Sequence, residues 1–151
     1  ASIRLCRGAF GPMLIQGANA FIRLGLHWAT ANRSHFKGPV SKAFLAPYPT
    51  WDSRLGQLRF IQDIPFNDTH HPSYETVCSV DEGSSQFSQL PTCVIWGDLD
   101  FVFTPVYRED ITKRFHNAEV HAMKDASHWI VEDAIDRIKP IVSEFVNRVV
   151  T

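Results

Sequence analysis

The amino-acid sequence predicts an α/β fold built on a parallel sheet. The first observation is the run Thr92-Cys93-Val94-Ile95-Trp96, apolar and rich in β-branched residues, closed by Gly97. A strand buried on both faces of a parallel sheet has this texture. The second is the order helix, strand, helix, strand, helix across residues 75–151, as βαβ connections require. The third is composition: 151 residues, 44% hydrophobic and 12% aromatic, describe one globular chain rather than a disordered one.

Each element has a local cause. Asn19 to Thr30 reads as a helix, with Phe21, Leu24, Leu26 and Trp28 among its apolar positions. Gly38-Pro39 breaks the chain. Pro47-Tyr48-Pro49 forces an extended or turn conformation. Trp51 to Ile61 is helical, with apolar residues at Trp51, Leu55, Leu58 and Ile61, and Ile64-Pro65 ends it. Asn67 to Ser73 is polar turn chemistry. Pro72-Ser73 opens a helix that stops before Pro91. After the first strand, Pro105 to Phe115 is helical, Ala118 to Met123 is a second short strand, and Asp125 to Glu132 is a loop. The last helix carries Ile138, Ile141, Val142, Phe145 and Val149. Pro140 within it predicts a late start or a bend.

Composition excludes several function classes. Fifteen Lys+Arg against sixteen Asp+Glu leave a net charge of −1, so bulk charge holds no nucleic acid. No apolar run approaches the roughly 20 residues of a membrane helix, and Ala1 to Phe10 lacks a charged start followed by an apolar stretch, so no signal peptide is expected. Cys6, Cys78 and Cys93 lie far apart, without a C-x-x-C, which predicts reduced thiols and a cytoplasmic protein. No G-x-G-x-x-G follows a strand, against a dinucleotide-binding half-domain. Among His70, His71, His116, His121 and His128 no H-E-x-x-H or paired thiol appears, so neither metal nor cofactor is expected.

Chemistry in open α/β sheets lies at the carboxyl ends of the strands. Here those ends are Gly97-Asp98-Leu99-Asp100 and Asp125-Ala126-Ser127-His128. Singly, the aspartates read as turn residues and the histidine as a surface group. Together, an acid and a histidine at neighbouring strand ends form a charge-stabilised base. Acid before histidine also fits the chain order nucleophile, acid, histidine.

These residues carry a resemblance. Pro91 to Pro105 resembles the acid-bearing strand and turn of the α/β-hydrolases, and Phe115 to Ala134 their terminal strand and histidine turn. Leu45 to Tyr48, Arg59 to Pro65 and His71 to Tyr74 resemble the cap of the haloalkane dehalogenase-like branch. Within that branch the likeness is to the β-lactone decarboxylases of long-chain olefin biosynthesis. The resemblance implies the C-terminal part of an α/β-hydrolase fold: a helical cap region over residues 1–74, then the last two parallel strands with their helices over 75–151. It implies Asp100 as catalytic acid, with Asp98 the competing acid, and His128 as catalytic base. Ser127 stands where the family usually has Gly.

The family's nucleophile sits on a G-x-Ser-x-G elbow or an Asp variant of it. No two glycines here are four apart, so no strict elbow exists. Two strands also leave sheet edges bare. Both points, with the absence of an initiator Met, lead to the expectation of a fragment whose missing N-terminal half carries a carboxylate nucleophile, the 151-residue piece alone being inactive. Phe44, Tyr48, Trp51 and Phe60 are candidates to line the cavity for a small apolar substrate, with cap core as the competing role. The alternative function is a non-catalytic interaction module that pairs through the open sheet edge.

Overall fold

The computed structural model describes residues 6–66 and 68–150; Asn67, the start of the expected polar turn, lies outside them. The chain forms two compact units. One comprises the residues up to His27 with Arg33–Val80, the other Trp28–Asn32 with the residues from Asp81 onward.

The first unit is helical. A π-helical turn spans Met13–Gly17, followed by α1 (Ala20–Trp28), α2 (Pro39–Leu45), a 3-10 turn (Asp52–Arg54) and α3 (Leu55–Gln62). The expected break at Gly38-Pro39 occurs, with Gly38 at a positive φ of 60°. Pro39 also starts α2, because its missing N–H would have had no helical partner. The guanidinium of Arg54 ties this unit's turns together. It donates to the carbonyls of Gln16 (2.5 Å), Gly17 (3.2 Å), Tyr48 (2.9 Å) and Pro49 (3.0 Å). Ile15, Leu58 and Ile61 form the core, with Cys6 against them. Leu58 and Ile61, three apart, share a face of α3, as the apolar spacing predicts. Ile61 is 1% exposed, so Ile61→Ala should cost roughly 2–5 kcal/mol in urea unfolding.

Helix α4 (Tyr74–Gly83) carries the boundary between the units and is followed by a 3-10 turn at Ser84–Phe87. The second unit then contains β1 (Cys93–Gly97), α5 (Pro105–Arg114), β2 (Glu119–Met123) and α6 (Ile130–Val150). The strands are parallel and in register from Cys93↔Glu119 to Gly97↔Met123. Odd-numbered residues of both strands therefore share one face. On it, Ile95 packs against the core of Met123, Ala126, Ala134 and Ile138, joined by Ile130 and Ile141. This is the α/β architecture the apolar run predicts. The irregularity of the last helix sits at Ala134 (φ −142°, ψ 25°), six residues before Pro140. Among the described residues no helix is long and apolar enough to cross a membrane.

Candidate functional site

The two strand ends meet because a glycine lets them. A Cβ on Gly97 would lie 2.5 Å from the Ser127 carbonyl oxygen and 2.6 Å from that of Ala126. The turns after β1 and β2 are stitched together there. Asp98 N donates to Met123 O (2.9 Å), Leu99 N to Ala126 O (3.0 Å), and Ser127 Oγ to Leu99 O (3.2 Å).

This stitching brings Asp100 to His128. The Asp100 side chain is 9% exposed. Its Oδ1 accepts from the backbone amides of Val102 (2.8 Å) and Phe103 (2.9 Å). Its Oδ2 lies 2.9 Å from His128 Nδ1. A carboxylate has no proton to give, so the imidazole carries its proton on Nδ1. Nε2 keeps its lone pair and can accept a proton, and the carboxylate stabilises the imidazolium that results. The ring is flanked by Phe103, with centroids 5.5 Å apart. Asp98, the competing acid, is ion-paired with Arg108 of α5.

Sequence reasoning missed Asp133. Its Oδ1 accepts from Thr30 Oγ1 (2.5 Å) and Asn32 N (3.0 Å), and its Oδ2 from Ala31 N (2.9 Å) and Ser127 N (2.8 Å). Burial alone would raise its pKa, but the hydrogen bonds from Ala31, Thr30, Asn32 and Ser127 outweigh burial and hold it below the usual carboxylate value. Its stabilising contribution is therefore complete above about pH 4, the unfolded carboxylate's value, and is lost as pH falls through the lower folded one. Asp133→Asn should flatten the acid limb of a plot of Tm against pH. An aspartate in the first turn of a C-terminal helix was a visible signal; its remote partners, largely backbone amides, were not.

The cap candidates lie in the first unit. Phe44 packs edge-on against Phe36 (5.3 Å between centroids). Tyr48 accepts from Arg54 through its carbonyl. Trp51 and Phe60 are exposed, and Phe60 tilts against Phe21 (6.4 Å). An open hollow of about 420 Å³ is lined by Arg59, Phe60, Gln62, Asp63, His71 and Pro72. Of the four aromatics it takes in Phe60 alone.

At the amino ends of the strands, Cys93, Glu119 and His121 place potential ligand atoms within 4.8 Å of one another. Glu119 already accepts from His121 (2.6 Å) and pairs with Arg148. Those two hydrogen bonds hold its pKa below the usual carboxylate range. Glu119, His121 and Arg148 form an ion-pair cluster beside Cys93, remote along the strands from Asp100 and His128. The three cysteines are free thiols.

No protein-family model matches the chain. It is 30% identical over 148 residues to a cis-3-alkyl-4-alkyloxetan-2-one decarboxylase of Shewanella oneidensis, covering 97% of this chain and 46% of that protein. The same enzyme of Xanthomonas campestris is 30% identical over 142 residues, covering 91% and 45%. The chain thus spans about half the length of the curated relatives it matches. Among solved structures, a putative ancestral haloalkane dehalogenase superposes with a TM-score of 0.87 at 21% identity, over 98% of this chain and 51% of that one. The haloalkane dehalogenase of Bradyrhizobium elkani gives 0.86 at 18% identity, over 98% and 50%. The chain is thus similar to a part of an α/β-hydrolase of the dehalogenase-like kind, about half of each protein it matches, and its two parallel strands with their helices are consistent with the C-terminal part of that fold.

Proposed function

We propose that Asp100 and His128 are the catalytic acid and base of a hydrolase or lactone-opening enzyme, acting with a carboxylate nucleophile carried by the other half of the fold. The observation that supports this most is the 2.9 Å contact between Asp100 Oδ2 and His128 Nδ1 at adjacent strand ends. In this mechanism the nucleophilic carboxylate attacks the substrate carbon and the leaving group departs with the bonding electron pair. Where a covalent ester forms, His128 Nε2 takes a proton from water as the water oxygen attacks the ester carbonyl. Asp100 stabilises the imidazolium and fixes its tautomer.

The relatives' name specifies a β-lactone ring bearing two alkyl groups, so the favoured substrate class is an apolar β-lactone, ahead of alkyl halides and esters. Residues 1–74 act as the helical cap, with Phe44, Tyr48, Trp51 and Phe60 facing the substrate, and residues 75–151 as part of the core. Reduced thiols fit a cytoplasmic setting. The 151-residue chain has no G-x-Ser-x-G elbow and is inactive alone on this reading. The test is turnover of a dialkyl β-lactone, an alkyl halide and an ester by the protein that carries this chain, beside the 151-residue piece. Turnover by the first and none by the second supports the proposal. Activity of the isolated piece, or inertness of the whole protein toward all three, overturns it.

A further inference from the structure

We infer that Asp133 is a positioning residue for His128. The inference rests on the proposed role of His128 and adds what fixes its ring. The Asp133 carboxylate receives donors from two stretches of chain that are distant in sequence. From one side come Thr30 Oγ1 (2.5 Å), Ala31 N (2.9 Å) and Asn32 N (3.0 Å). From the other comes Ser127 N (2.8 Å), the amide of the residue immediately before His128.

The histidine is pinned on both flanks by this arrangement. Trp129 N, the next amide after it, donates to Ala29 O at 2.7 Å. Ser127 Oγ donates to Leu99 O (3.2 Å), beside the acid itself. With the amide one peptide before His128 and the amide directly after it both tied down, the backbone around the ring is held where its side chain meets Asp100. A carboxylate that merely fastened one stretch to another would have no need of Ser127 N. Releasing that amide loosens the turn that leads into His128, and a misplacement of about 1 Å costs on the order of 10²-fold in rate.

The experiment uses the protein that carries this chain and compares Asp133→Asn, Asp133→Glu and wild type. The amide group of Asn keeps the size but turns an NH2 toward donors. Expected is a fall in kcat of about 10–100-fold with KM within about twofold, partly restored by Glu. Imidazole nitrogen NMR should show His128 losing its single Nδ1–H tautomer. A folded Asp133→Asn that lowers Tm yet keeps the His128 resonances and kcat of wild type overturns the inference. If Asp133→Asn does not fold, Thr30→Val removes one donor and leaves the carboxylate. A smaller change of the same resonances is then expected, and unchanged resonances overturn the inference. If wild type turns over no substrate, the catalytic reading has failed, and the ring resonances alone decide the role of Asp133.

Discussion

His128→Ala is expected to lower kcat of the protein that carries this chain by about 10³–10⁴-fold while leaving it folded. The His128 side chain is 28% exposed and belongs to neither hydrophobic core, so its truncation opens no core cavity. Asp100→Asn should cost a similar factor for a different reason. Asn can still accept from Val102 N and Phe103 N through its oxygen, the contacts now made by Oδ1. Its NH2 then faces His128 Nδ1 and favours the opposite tautomer, with the proton on Nε2, where no proton can be accepted. Asp98→Asn, which loses the half-buried pair with Arg108 but leaves the contact of Asp100 with His128 in place, serves as the control and should keep turnover within about twofold of wild type. Circular dichroism and Tm separate loss of chemistry from loss of fold. Folded His128→Ala and Asp100→Asn variants at wild-type turnover would move the pair to a structural role and favour the interaction-module reading.

The second large effect is expected from Gly97→Ala. The added methyl would meet two carbonyl oxygens at 2.5 and 2.6 Å and the Ala126 carbonyl carbon at 2.8 Å. These are backbone atoms and cannot rotate away like the end of a long side chain. The turn of residues 124–128 must move as a body, and it is bonded to the opposite turn through Leu99 N→Ala126 O. Overpacking of this kind costs about 1–3 kcal/mol, occasionally more, and Gly97 should reach the upper end because both contacts are rigid. The same displacement carries His128 away from Asp100, so residual folded protein should also be impaired in turnover. Equilibrium unfolding in urea measures the first effect and initial rates the second. Wild-type stability in Gly97→Ala would show that the two turns are not in contact.

The strands and the acid–histidine pair were legible because their signals are local. An apolar β-branched run closed by Gly marks β1, and the residues just past each strand are where an α/β sheet presents chemistry. The choice between Asp98 and Asp100 was carried by family resemblance rather than by spacing; the structure pairs one with Arg108 and the other with His128. Helix α2 carries a two-sided signal, since Gly38-Pro39 reads as a break while Pro at the first helical position also starts helices. Pro140 drew attention as the site of a bend, yet the irregular dihedrals fall at Ala134, beside the carboxylate that binds residues 30–32. Asp133 is visible as an acid in the first turn of α6, but its partners are not. Most of its donors are backbone amides, which every residue but proline has, so no side-chain pattern announces them.

The hydrogen bonds of the site also differ in how far along the chain they reach. Asp100 and His128 are 28 residues apart, whereas Thr30 and Asp133 are 103 apart. Loop-closure entropy grows with the logarithm of length, so the longer closure costs about 1 kcal/mol more. The acid–histidine pair therefore closes within a single strand–helix–strand excursion. The pair is a local unit of the chain, contained in one strand–helix–strand segment.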